Sequence, residues 1–258
     1  AIFNKSTIGA IVDSSFINNY SGSSGGAIYN IGNALTIAAE NKDVLFSGNR
    51  QYAEFDSEGN YIEGTGESNA ISGSRENLYL NAAEGRTITF DDVIENATIQ
   101  INDASTGYGT SGTVVLNNLI SGQDINLNGG LLRVGTNNAT SSVNLALNGN
   151  TADFGLDVYG SDADIINLSN ANGTVNIYDV NFIRPAEGTF LIKVLENATT
   201  DTTLTIAHEF SVIDRDIINT YDKMLYSNDV KWSDSLVSGH EIYHVNGNIG
   251  VVSYNNEI

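Results

Sequence analysis

The chain has 258 residues, 41% of them hydrophobic, enough to bury the core of one large domain or of two small ones. Eleven Lys and Arg stand against 31 Asp and Glu, and the net charge of -20 repels phosphate backbones and anionic lipid headgroups, so nucleic acid and membrane surfaces are poor partners. There is no cysteine, which removes disulfides and thiolate metal sites, and no apolar run approaches the roughly 20 residues of a spanning helix.

Gly occurs 26 times and Pro once, at Pro185, beside abundant Asn. Gly and Asn tolerate left-handed backbone, so this composition predicts many short strands closed by tight turns. The chain opens on Ala1-Ile2-Phe3-Asn4, which recurs as Ala27-Ile28-Tyr29-Asn30 and more weakly as Asn69-Ala70-Ile71. A first word that lacks its preceding glycines predicts a fragment of a longer repeat protein. Phe16-Ile17-Asn18-Asn19 likewise recurs as Phe46-Ser47-Gly48-Asn49.

Residues 50–68, RQYAEFDSEGNYIEGTGES, break the rhythm with an acidic stretch expected to loop out of the array, as insertions in solenoids do. From residue 78 short alternating strands closed by Asn, Asp or Gly return every 9 to 12 residues or so, as in LYLNAA, TITFDD and GTVVLNN. Repeats are thus expected over 1–210. Residues 211–258 are less regular and richer in aromatics, and are expected to form terminal coils or a capping segment of the same domain.

That spacing also suits an antiparallel sandwich. A parallel stack is favoured because hairpin dipeptides are sparse and repeated words return one residue type to one point of each turn. The expected fold is all-β, a right-handed parallel β-helix of about 11 to 13 coils, in which like residues stack at roughly 4.8 Å. Phe16, Phe46 and Ile28 would then fill the core, Asn19, Asn30 and Asn49 the corners, and Gly25 and Gly26 a tight turn. The stretch FINNYSGSSGGAIYN is therefore a coil; a phosphate loop would need Lys and Ser or Thr after its glycines.

FxxN together with GGAI resembles the word pair of bacterial autotransporter passenger domains, including the polymorphic outer-membrane proteins. The likeness runs over residues 1 to about 75 by motif, then by rhythm and by Asp162-Ala163-Asp164-Ile165-Ile166-Asn167. It implies a secreted β-helix on a bacterial outer surface, acting in adhesion, aggregation or host contact, with no shared catalytic residues to transfer. The family's membrane barrel is not seen in this sequence.

His240-Glu241-Ile242-Tyr243-His244 spells the HExxH word of zinc proteases, in which two histidines one helical turn apart hold the metal beside a general base. Gly239 and Asn246-Gly247 leave too little room for that helix, and the flanks read as two strands around an Asn-Gly turn. The word is taken as a chance match, and no metal or other cofactor is expected. The carboxylate pairs Asp91/Asp92 and Asp162/Asp164 resemble those of polysaccharide-acting β-helix enzymes, with Arg86 near the first, but read better as solvated turns. His208 reads as an outward strand residue, and Tyr29, Tyr61 and Tyr108 as candidates for a recognition surface.

The sequence therefore points to an extracellular adhesin or surface-display stalk on a bacterial cell. Its partners would be proteins or glycans of host or neighbouring cells, without direct membrane insertion, and open coil ends offer a route to self-association. No residue is assigned catalysis. A polysaccharide lyase or hydrolase is the alternative, and a zinc protease through HEIYH a more distant one.

Overall fold

The computed structural model describes the chain apart from residues 7, 74, 75, 96, 97, 121, 161, 186–189, 207–210, 213–219, 226–230, 233–240, 243, 246, 247 and 256–258; beyond residue 205 the description is of backbone strands. The described residues are almost all strand and turn, with no α-helix and a single 3-10 turn at Ala104–Thr106. Two compact units, Ala1–Leu132 and Arg133–Ile258, divide the chain.

The first unit is a parallel β-helix with up to three strands per coil. Ile2–Asn4, Ile11–Val12 and Phe16–Ile17 belong to one coil, Ile28–Asn30, Leu35–Ala39 and Val44–Ser47 to the next, and Ile71–Gly73, Asn77–Ala82 and Thr87–Phe90 to the third. Each pairs in parallel with its counterpart, so Ile2 lies against Ile28 and Ile28 against Ile71. Thr98–Ile101, Thr113–Leu116 and Gln123–Leu127 continue the series.

Alternation decides which side chains enter the core. In Thr87–Phe90 and Thr98–Ile101 every second residue is buried, which places Ile88, Phe90, Ile99 and Ile101 inside. Parallel register then stacks these positions into ladders: Ile11, Ile37, Leu80, Ile101 and Leu127 form one, and Leu35, Leu78, Ile99 and Ile125 another. Apart from the half-buried Ile11, each of these side chains stabilises the unit by about 1.5 to 3 kcal/mol through the apolar surface it withdraws from water.

Asparagine makes the corners. Asn18 and Asn102 adopt φ of 53°, the left-handed region in which Asn is enriched. The Asn102 amide donates to the carbonyls of Gly112 and Gly129 and its oxygen accepts from the Ala82 N–H, so one side chain ties three successive turns. Coil length varies, since equivalent residues are 26 apart at Asn4 and Asn30 and 30 apart at Asn19 and Asn49. Later coils are shorter, with equivalent residues 23 apart at Asn144 and Asn167.

In the second unit Ser142–Ala146 pairs in parallel with Ile165–Asn170, and Thr151–Gly160 with Gly173–Pro185, which pairs in turn with Thr202–Ile206. An external ladder joins Asn144, Asn167 and Asn197, each amide donating to the oxygen of the previous one at 2.9 and 2.6 Å. Towards the end of the chain antiparallel pairs join the parallel ones, which persist between Thr202–Ile206 and Lys231–Trp232 and between Thr220–Leu225 and Glu241–Ile242. Asn248–Asn255 runs antiparallel to both Phe190–Glu196 and Thr220–Leu225.

Candidate functional site

The Phe16, Phe46 and Ile28 positions lie on the strands just described. Phe46 is fully buried, with the ring of Phe16 stacked at 4.9 Å on one side and that of Phe90 at 4.3 Å on the other; Ile28 is also fully buried, while Phe16 is half-buried. Gly25 has φ of 75°, and a side chain there would meet the Ile28 carbonyl; a Cβ on Gly26 would meet the backbone of Asn69 and Arg50.

The asparagines bond from coil to coil in two places, one of which ends on an acid. Asn4 donates to Asn30 at 2.7 Å. Asn19 donates to the oxygen of buried Asn49, and Asn49 donates to the buried Asp92 carboxylate at 2.6 Å. Asp92 also accepts from the N–H groups of Gly48 and Asn49 and from the Ser68 hydroxyl. Asp92 is thus a coil fastener. Asp91 faces solvent and accepts from the Asn117 amide, and Arg86 lies 4.0 Å from Asp43 rather than beside this pair.

Residues 50–68 leave the second coil through a two-stranded neck, in which Arg50–Gln51 pairs antiparallel with Glu67–Ser68. Beyond the neck the chain forms a hairpin with Phe55 opposite Tyr61 and a turn closed by Asp56, whose carboxylate accepts from the N–H groups of Glu58 and Asn60 and from the Asn60 amide. Those bonds, led by the Asn60 N–H, hold the Asp56 carboxyl below its ordinary range. The Tyr61 ring stacks on Tyr20 of the first coil at 3.8 Å and meets Phe55 edge-on at 6.4 Å. The Tyr61 hydroxyl donates to the Thr65 carbonyl, and the Arg50 guanidinium to the Gly66 carbonyl.

Tyr52, at the base, has φ of 53°, an outlier for a bulky residue. Its N–H donates to the Ser23 carbonyl, and its hydroxyl lies 3.0 Å from the Ser24 hydroxyl. Ser24 also lines a cleft of about 220 Å³, together with Ser21, Ser23, Gly25, Phe3 and Tyr29. Phe3 and Tyr29 stack at 5.4 Å, and the Lys5 ammonium sits 5.0 Å from the Phe3 ring centre. Of the three tyrosines singled out from the sequence, Tyr29 belongs to this cleft and Tyr61 to the hairpin, while Tyr108 is half-buried next to the 3-10 turn.

In the second unit Asp164 is grouped with Asp157, which no sequence word flags, while Asp162 is exposed. Asp164 accepts from the N–H groups of Ser141 and Asp157 and from the Ser141 hydroxyl; Asp157, fully buried, accepts from the N–H groups of Asn137 and Asn138 and from the Asn181 amide. Burial pushes the Asp164 carboxyl up to about 6, against its hydrogen bonds and with the Asp157 charge adding to the rise. All four carboxylate oxygens accept bonds from the protein, so the pair acts as a clasp between the segment 137–141 and the strands.

Glu241–Ile242 and His244–Val245 of the HEIYH word are strand segments, the second antiparallel to Asn248–Asn255 with His244 opposite Ile249. His240 and Tyr243 lie outside the described residues, as does His208. Among the described residues no group of three or more His, Asp or Glu is placed to hold a metal ion.

By its strand order the chain is a parallel β-helix. Neither a family model, nor a curated protein, nor a solved structure matches it.

Proposed function

We propose that the protein is an extracellular adhesin or surface-display stalk of a bacterial cell, a passenger of the autotransporter kind, whose partners are proteins or glycans of other cell surfaces. The observation that carries this reading is the preorganised hairpin inserted after the second coil, with Tyr52, Phe55 and Ile62 exposed at 53, 43 and 41%. Rigid aromatic side chains held on an ordered scaffold supply contact area at small entropic cost, which is what binding surfaces require. The FxxN and GGAI words support the cellular setting by resemblance, and the acidic surface favours solubility over self-aggregation.

The test is retention of the labelled chain on immobilised matrix proteins, glycans and polysaccharides, scored together with any fragments released from them. Retention on one target class without release is the expected result. Release of product from a polysaccharide would replace the adhesin by the lyase or hydrolase alternative, and release of peptides abolished by a chelator would revive HEIYH.

A further inference from the structure

We infer that the hairpin 52–66 is a docking site for a cationic, amphipathic polypeptide segment, a partner class that rests on the binding reading above and narrows it. Three of the seven exposed large hydrophobic side chains among the described residues, Tyr52, Phe55 and Ile62, fall within this one hairpin. Several exposed apolar side chains within one short element mark an interaction surface, whereas single exposed apolar residues do not.

Charge selects the occupant. Glu54, Asp56, Glu58 and Glu63 all lie in the hairpin, which contains no Lys, Arg or His, and all four are exposed. The nearest cation in sequence, Arg50, donates to the Gly66 carbonyl and braces the neck. A Lys or Arg from a partner therefore meets carboxylates and aromatic faces in one place, combining charge pairing with cation–π attraction, while its apolar neighbours cover Phe55 and Ile62. A second copy of this chain carries the same net charge of -20 and is repelled, as is an anionic lipid surface; a neutral glycan leaves the four carboxylates without a role.

The hairpin is built before the partner arrives. The Ile62 N–H donates to the Glu54 carbonyl, the Glu54 N–H to the Thr65 hydroxyl, and the Ala53 N–H to the Ser21 carbonyl of the first coil. Tyr52 is held in the left-handed region at the base; strain of this kind persists where the surroundings over-determine it, as at ligand clamps. Little ordering remains to be done on binding.

The experiment measures fluorescence anisotropy of a short labelled peptide of alternating Lys and Leu against the full chain, with Lys–Ser and Glu–Leu peptides as comparators. Lys–Leu is expected to bind about tenfold more tightly than Lys–Ser, and Glu–Leu not to bind. Replacing Glu58→Gln with Glu63→Gln should weaken Lys–Leu binding about tenfold, as should Tyr52→Ser or Ile62→Ser, with circular dichroism and melting temperature unchanged. The matched removal of two exposed charges elsewhere, Glu84→Gln with Asp162→Asn, should change it less than about threefold.

Equal losses from the two charge pairs would overturn the inference, since binding would then follow the diffuse field of the whole chain. So would full binding by the Tyr52 and Ile62 variants, or displacement of the peptide by a neutral oligosaccharide with no effect of the charge variants. Retention on surface targets that ignores every hairpin variant would sink the inference and keep the adhesin reading. Hairpin-dependent peptide binding without retention on any surface target would do the reverse.

Discussion

Truncation of Phe46 tests whether the stacked core carries the stability of the first unit. The ring is fully buried between Phe16 and Phe90, and parallel strands on either side fix the spacing of the three positions, so neighbours cannot collapse into the space without breaking register. Burying and then deleting a phenyl ring costs about 3 to 5 kcal/mol, and two lost ring contacts place this site towards the upper part of that range, at about 4 kcal/mol. The half-buried Phe16 has a ring neighbour on one side and should cost about half as much for the same substitution, because part of its surface is already in water. Urea titration followed by far-ultraviolet circular dichroism reads the difference: Phe46→Ala should lower the midpoint by more than about 1 M, with Phe16→Ala intermediate between it and the parent. A loss below about 1.5 kcal/mol for Phe46→Ala, or an equal loss for Phe16→Ala, would refute a core that draws its stability from register-locked stacking.

Asp92→Ala leaves the N–H groups of Gly48 and Asn49, the Asn49 amide and the Ser68 hydroxyl short of an acceptor, and should cost about 3 kcal/mol or more in the same titration, with Asp92→Asn losing less because one oxygen remains. Asp164 has a folded-state carboxyl raised from its ordinary 3.8 to about 6, so its protonation favours the native state: the contribution is complete below about pH 4 and fades as pH rises through about 6, a span worth at most about 3 kcal/mol. Melting temperatures between those pH values should therefore fall with rising pH in the parent and flatten in Asp164→Asn. Gly25→Ala should be costlier than Gly59→Ala in thermal melts: both glycines have positive φ, but a Cβ at residue 25 meets the Ile28 carbonyl, whereas at residue 59 it meets open space, leaving a backbone cost of about 1 kcal/mol there.

Residues that act by stacking like on like leave a repeat in the sequence, which is why the pairs Phe16 and Phe46, and Ile2 and Ile28, are legible there. Residues that act by complementarity leave none. Asp92 fastens Asn49 from 43 positions away across the whole insertion, and Asp157 holds Asn181 from 24 positions away, an acid answering an amide with no word in common. The neighbouring Asp91 and Asp162, equally conspicuous as letters, point to solvent instead. The pairing of Asp164 with Asp157 rather than Asp162 follows from the antiparallel turn that sets Tyr159 opposite Asp162, a local reversal that strand periodicity does not encode.

The hairpin extends the same argument to function. A coil position is constrained by the coils on both sides, so its side chains must serve the ladder; an insertion is released from that constraint at every residue beyond its neck. In residues 52–66 the aromatic and acidic side chains have no ladder to satisfy, and the sequence there reads as an interruption for that physical reason. What the interruption does not announce is its order: Tyr61 on Tyr20, the Asp56 turn and the left-handed Tyr52 turn an apparent loop into a fixed surface. Those contacts fix the hairpin while leaving Phe55 and Ile62 exposed, so the ordering that makes the surface does not consume it.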